Sequence, residues 1–206
     1  MKPILVIYAT REGQTRRIAE RVATTLRTRR LVADPIDAAH VPAGLSLKNY
    51  CAAMVIASVH LGKHESEISD FVKCHVSELN RIPAFFFSVS LSEAGAEDAA
   101  APPAKRAQAQ ANVKQIIGTF LAETGWTPPQ IKPLAGALMY SKYNFAIRFV
   151  MKRIARKEGK PTDTSRNYEF TDWEDLGRTV DAFAEGLLET EGSQSGARNI
   201  LEAEKT

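Results

Sequence analysis

Cysteine is scarce in this 206-residue chain, and its two copies, Cys51 and Cys74, have neither a CxxC partner nor a histidine cluster nearby. That argues against a metal site or a disulfide framework and leaves buried or semi-buried thiols as the expectation. Long apolar runs are missing too: no stretch reaches the ~20 residues that a membrane-spanning helix needs. The first residues lack the basic, apolar, small-residue order of a signal peptide, so a cytoplasmic chain is expected. No DNA- or RNA-binding motif is present, and the net charge is only +3. The length suits one domain with additions, enough to bury a full core.

What is there begins at the N-terminus. Ile4-Leu5-Val6-Ile7-Tyr8 is a short apolar run of the kind buried on both faces of a parallel sheet. The polar turn Thr10, Arg11, Glu12, Gly13, Gln14, Thr15 follows, and then a helix with Ile18, Ala19, Val22, Ala23 and Leu26 on one face. A strand, a hydroxyl-bearing turn and a helix N-terminus together favour an anion, because free amides and the helix dipole converge there. With one glycine and no lysine, the turn is neither a Walker loop nor a dinucleotide loop. It resembles the Thr/Ser-x-x-Gly-x-Thr loop with which flavodoxins wrap the phosphate of FMN, Thr10 and Thr15 supplying the terminal hydroxyls. The plainer alternative is a βα turn whose glycine takes a positive φ and whose Thr15 caps the helix.

Further strands are expected at 31–36, at Ala52–Ala57, at Ala84–Val89 and at Ile131–Met139, with helices after the third, at about 107–123 after the fourth, and from Thr171-Asp-Trp-Glu174, read as a capping box. With no strand pair joined by a hairpin, this alternation predicts an α/β fold: a flavodoxin-like, doubly wound, five-stranded parallel sheet of order 2-1-3-4-5. Ligands of such sheets sit beyond the carboxyl ends of the strands at the switch point. The loops at Ser58, Val59, His60, Leu61, Gly62 and Lys63 and at Ser88, Val89, Ser90 and Leu91 therefore join the first turn around one site. His60 and His64 are weak candidates for proton carriers, a solvent-facing or helix-start histidine being commoner.

Three additions stand out. The segment 92–106, with Glu93, Glu97 and Asp98, reads equally as a lid or as a tolerated surface insertion. The polar tail 189–206 is expected to be disordered, leaving 1–188 as the domain. Residues 138–160, after the last strand, carry seven Lys or Arg against one Glu, a net of +6, so the rest of the chain is net acidic. Wound as a helix, Tyr143, Ile147, Val150 and Ile154 would pack on the domain while Phe145 and Phe149 project among Arg148, Lys152, Arg153 and Arg156. Aromatics among cations describe a helix lying on an anionic membrane surface; a nucleic-acid contact needs no such pair of exposed rings.

Several elements together carry a closer resemblance: Thr10 to Thr15, Ala57-Ser-Val-His-Leu-Gly62, Phe87-Ser-Val-Ser-Leu91, Ala135-Gly-Ala-Leu-Met-Tyr140, the basic aromatic insertion, Pro161-Thr-Asp-Thr164 and Tyr168-Glu-Phe-Thr-Asp-Trp173. From Lys2 to about Leu187 the chain resembles the menaquinone-dependent protoporphyrinogen IX dehydrogenases of bacterial haem synthesis, relatives of flavodoxin. The resemblance implies FMN as cofactor, protoporphyrinogen IX as substrate, menaquinone or ubiquinone as acceptor, and a peripheral location on the cytoplasmic face of the inner membrane, with Tyr143, Phe145, Arg148, Phe149, Lys152, Arg153 and Arg156 meeting either the substrate or the membrane. The tetrapyrrole would lose six electrons in three two-electron steps, the flavin doing the redox chemistry and no side chain being assigned as acid or base. Rival classes are a soluble electron carrier, an NAD(P)H-quinone reductase and a flavin-free interaction protein. Electron carriers of this kind are usually strongly acidic, unlike this chain.

Overall fold

The computed structural model describes the backbone of residues 1–157 and 159–203, and the side chains within it except those of 157 and 191–203. Five parallel strands, β1 (Ile4–Ala9), β2 (Ala33–Asp37), β3 (Ala52–His60), β5 (Ala84–Ser90) and β6 (Gln130–Ala135), form a sheet of order β2-β1-β3-β5-β6. That is the predicted 2-1-3-4-5 order, counted over the parallel strands. The short β4 (Lys63–His64) hangs from β3.

Period-two alternation explains why the sheet needs helices on both faces. Ile4, Val6 and Tyr8 of β1, with Met54 and Ile56 of β3, face α1 (Gln14–Thr28) and α6 (Trp173–Ala203) in one core. Leu5, Ile7 and Ala9, with Val55 and Phe86, face the other core under α2 (Ser66–Leu79) and α4 (Pro103–Thr124). Every residue of β1 is buried. The edge strands β2 and β6 carry Pro35 and Pro133, which fits positions where a ladder donor is dispensable.

Several local expectations change. The third strand does not stop at 57: β3 runs to His60, turns on Leu61 (φ 51°) and Gly62 (φ 80°), and returns antiparallel as β4, pairing Val59 with His64 and His60 with Lys63. A hairpin is thus present, because two consecutive left-handed residues give the turn whose twist matches its strands. The fifth strand ends at Ala135. Beyond Gly136 the chain leaves the sheet, and β7 (Ala137–Leu138) pairs antiparallel with β8 (Tyr168–Glu169). A Cβ on Gly136 would lie 3.3 Å from Val89 Cγ1, so a side chain there would have to push Val89 aside by a few tenths of an ångström.

Helix α4 begins at Pro103, where a missing amide costs nothing, rather than near 107. The segment before it holds a short helix, α3 (Leu91–Ala96), with Ala94 and Gly95 buried. It is packed structure rather than a loose loop. Helix α6 is capped by Asp172, whose Oδ1 accepts from the amides of Glu174 and Asp175, and not by Thr171. Thr171 Oγ1 instead donates to the Ala135 carbonyl. The expected tail from 189 begins inside α6; its side chains from 191 on, and residues 204–206, lie outside the described residues.

The basic insertion forms α5 (Phe145–Lys157), started by Asn144, whose Oδ1 accepts from the Ile147 amide at 2.9 Å. Its packed face is only partly the one predicted, for Tyr143 is buried and Ile154 half-buried as expected. Ala155 is fully buried and Met151 partly so, in a small core with Leu138, Tyr140, Tyr143, Tyr168 and Phe170, while Ile147 and Val150 stay exposed. The small side chain of Ala155 permits the close approach that branched residues at 147 and 150 would prevent.

Candidate cofactor site

A cleft opens at the carboxyl ends of β1, β3 and β5, the switch point of the sheet. It is lined by Thr10, Glu12, Gln14, Thr15, Ser58, Val59, His60, Val89, Ser90, Leu91, Gly136, Ala137, Tyr143 and Met151. The β1–α1 turn is held by its own chemistry. Gly13 takes φ 94° and its amide donates to Thr10 Oγ1 at 3.0 Å, so α1 starts on a left-handed residue, with Thr15 inside the first turn and not at its cap. The amides of that turn have no carbonyl partner within the helix and point where the dipole is positive. No cation is among the described lining residues. An anion there would rest on amides and hydroxyls.

Arg11 is turned away. Its Nε donates to the buried carboxylate of Glu65 at 2.6 Å and its NH2 reaches Glu67 at 3.0 Å, tying the turn to the start of α2. Gln14 donates from Nε2 to Glu169 (2.8 Å) and to Thr171 Oγ1 (2.9 Å), tying the same turn to β8. Ser58 Oγ donates to the Ala9 carbonyl at 3.0 Å, joining the ends of β1 and β3. Two long-range clamps therefore fix a six-residue turn.

The ring-flanking loops divide. Val59, His60, Val89, Ser90 and Leu91 face the cleft, whereas Leu61, Gly62 and Lys63 form the hairpin end and Ser88 is buried behind it. Ser88 Oγ lies 2.9 Å from His64 Nε2. That histidine, sandwiched against Phe86 and Phe120, is a core residue and not a solvent-facing one; burial pushes its pKa down to about 4, which keeps the ring neutral. His60 stays in the cleft with Nδ1 3.7 Å from Glu12 Oε1. Burial raises the Glu12 carboxyl above its ordinary range, and His60 opposes that rise.

The insertion roofs the cleft. Tyr143 is buried, its Oη accepts from the Met139 amide at 3.3 Å, and burial followed by the charge of Glu12 pushes its phenol up to about 12. Outward, Phe149, Lys152, Arg153 and Arg156 line a separate cleft of about 570 Å³, and Phe145 is 88% exposed. Arg148 donates to the Tyr143 carbonyl at 3.3 Å and leaves its buried Nε without a partner.

Comparison with known proteins follows from this geometry. The flavodoxin domain family matches residues 5–165. The protoporphyrinogen IX dehydrogenase [quinone] of Escherichia coli (strain K12) is 33% identical over 172 residues, 84% of this chain and 89% of that protein. The protein of that name from Leishmania major is 31% identical over 87% of this chain and 74% of its own length. The chain belongs to the flavodoxin family, in its protoporphyrinogen IX dehydrogenase branch. Among solved structures, a short-chain flavodoxin associated with a bacterial microcompartment superposes with a TM-score of 0.52 at 17% identity, covering 92% of this chain and 99% of its own. Flavodoxin 1 from Bacillus cereus gives 0.50 at 16% identity, covering 89% and 97%. These two likenesses bear on the fold.

FMN is the cofactor of a flavodoxin domain, and the donor set here suits it: left-handed Gly13, first-turn amides and the Thr10 and Thr15 hydroxyls for a phosphate, two loops and a roof for a flat ring. Sequence reasoning missed Gly136, Ala137 and Met151 as wall residues, and it read Tyr143 as packed on the domain, which it is, but not as a wall of this cleft. Of these, Gly136 had a signal, a glycine breaking an apolar strand. Met151 had none, because its approach depends on how α5 docks.

Proposed function

We propose that this chain oxidises protoporphyrinogen IX to protoporphyrin IX and passes the electrons to a membrane quinone, menaquinone being the natural acceptor, while docked on an anionic membrane surface. The observation that carries this reading is the insertion, which closes the flavin cleft with Tyr143 and with Met151 of α5 and turns Phe145, Phe149 and a row of cations outward. A plain electron carrier has no use for such an outer face.

FMN, when bound, supplies the two-electron acceptor. Thr10, Thr15 and the amides from Gln14 onward would hold its phosphate, and Val59, His60, Val89, Ser90 and Leu91 would flank its ring. Tyr143 and Met151 keep water from the roof of the cleft. Lys152, Arg153 and Arg156 around Phe149 offer a flat apolar tetrapyrrole a ring contact and its propionates three cations. Each two-electron step also releases protons, and His60 beside Glu12 is the lining group positioned to take one.

The test is anaerobic mixing of the FMN-loaded protein with protoporphyrinogen IX. Bleaching of the flavin band, porphyrin fluorescence and recovery of the band on adding a quinone are expected. A flavin that stays oxidised with this substrate, yet is bleached by NAD(P)H, would replace the reading with a pyridine-nucleotide quinone reductase.

A further inference from the structure

A second cleft, of about 450 Å³, lies on the far side of the two ring-flanking loops. Its described lining is Leu61 and Gly62 at the hairpin end, Ser92 at the start of α3, Asn112, Gln115, Ile116 and Thr119 on α4, and Ile154 on α5. Leu61 follows His60 and Ser92 follows Leu91, both in the wall of the cofactor cleft, so the two clefts adjoin through consecutive residues.

None of these described lining side chains is charged. Two amides and two hydroxyls stand among aliphatic groups, a chemistry that suits a neutral ligand with carbonyl oxygens and would leave carboxylates uncompensated. Asn112 is already oriented: Gln108 Nε2 donates to its Oδ1 at 3.1 Å, leaving its own amide hydrogens to offer.

The helix that closes this cleft also carries an apolar stripe leading out of it. Ile154, Val150 and Ile147 recur at spacings of four and three, which places them along one side of α5. Ile154 lines the cleft, while Val150 and Ile147 are 40% and 36% exposed. The same helix ends at the exposed Phe145.

We propose that this cleft binds the head of the quinone acceptor, with its isoprenoid tail along Ile154, Val150 and Ile147 toward the membrane. This rests on the proposed function and gives the acceptor a place apart from the cationic cleft at Phe149, Lys152, Arg153 and Arg156. In each cycle the substrate gives up two electrons and two protons, and the quinone takes up the same number to become a hydroquinone, its two carbonyl oxygens becoming hydroxyls. Asn112 and Gln115 would donate to those oxygens in both states.

The test uses the FMN-loaded protein and two separable half-reactions. Thr119→Trp fills the cleft from an exposed wall position, and Asn112→Leu removes a donor at nearly constant volume. Both should slow reoxidation of the reduced flavin by a tail-free naphthoquinone by about tenfold or more, as expected for loss of one good contact. Reduction by protoporphyrinogen IX, FMN affinity and reoxidation by ferricyanide should stay within about twofold. Ile147→Ser with Val150→Ser should weaken only quinones that carry a tail.

In the oxidised protein, which does not react with an oxidised quinone, the naphthoquinone should shift the side-chain amide NMR signals of Asn112 and Gln115. That shift should be lost in Thr119→Trp. If protoporphyrinogen fails to reduce even the parent protein, the proposed function falls, and flavin reduced with dithionite still tests the cleft. Slower substrate reduction in the variants would assign the cleft to the tetrapyrrole. Unchanged quinone kinetics and unshifted amides would leave it without a quinone.

Discussion

The β1–α1 turn and helix α5 meet over one cleft but are stabilised in opposite ways. The turn sits between a strand buried over its whole length and a helix whose five apolar residues are fully buried; two of its polar side chains form clamps, Arg11 to Glu65 and Glu67, and Gln14 to Glu169. The helix has a small inner core around Tyr140, Tyr143 and Ala155 and leaves two phenylalanines and several cations outside. A phosphate cradle needs atoms held within tenths of an ångström, and the sheet provides that rigidity. A surface that docks on something else must keep apolar area uncovered, and the insertion pays for that with a thinner core.

Emptying the outer face of α5 without touching the sheet should produce the largest separation of the two regions. Phe145→Ser with Phe149→Ser removes ~1–3 kcal/mol of apolar burial per ring, so partition onto anionic vesicles should fall by about thirtyfold or more. The flavin spectrum and the thermal midpoint should not move. Replacing Lys152, Arg153 and Arg156 by Gln should weaken binding chiefly at low salt, since each cation contributes about 1 kcal/mol near such a surface and salt screens it. Co-sedimentation at two ionic strengths reads both. Unfolding or FMN loss in the double Ser variant would make those rings core residues.

On the sheet side the sharper probe is His64. Its pKa is held down to about 4 by burial against an ordinary 6.5, so between these values the unfolded chain binds a proton that the folded chain refuses. Stability is therefore lost as pH falls from about 6.5 toward 4 and levels off below, the full swing being about 3 kcal/mol. His64→Gln should remove that contribution, so that the variant loses less stability than the parent between about pH 7 and about pH 4.5 in urea unfolding; Glu93, pushed up to about 7 by burial, contributes with the opposite sign in both proteins. An unchanged slope would mean that the imidazole is not the group responsible.

A smaller effect is expected at Gly13. A side chain held at φ 94° costs about 1–2 kcal/mol, and more when β-branched, so the turn in Gly13→Val should relax and withdraw its amides. FMN affinity, followed by quenching of flavin fluorescence, should drop about tenfold or more while unfolding stays cooperative. Riboflavin, lacking the phosphate, should bind the parent far more weakly than FMN and be nearly indifferent to the substitution. Equal affinity of the parent for both flavins would remove the cradle.

Legibility followed the range of the interactions. The five strands and their order came from short apolar runs alternating with amphipathic helices, because burial on one or two faces imposes a period that composition cannot hide. The turn was readable because Gly13 and the threonines are a local device. The hairpin at Leu61–Gly62 was missed because leucine is a poor signal for a left-handed residue, and its conformation is imposed by β4 pairing back onto β3. The α6 cap fell on Asp172 because Thr171 is drawn into the bond with Ala135, a partner 36 residues away that a local motif cannot see.

By itself the sequence determined the layered sheet, the tight turn at Gly13 and the concentration of cations and aromatics in one insertion. Each follows from local spacing, since helical and strand periods decide which residues share a face. Only the tertiary structure decided which face of α5 turns inward, that Tyr143 and Met151 roof the cofactor cleft, that Arg11 serves α2 rather than an anion, and that His64 lies in the core instead of the site. Those outcomes depend on what each helix packs against, as Ala155 and Met151 do against Leu138, Tyr140, Tyr143 and Tyr168.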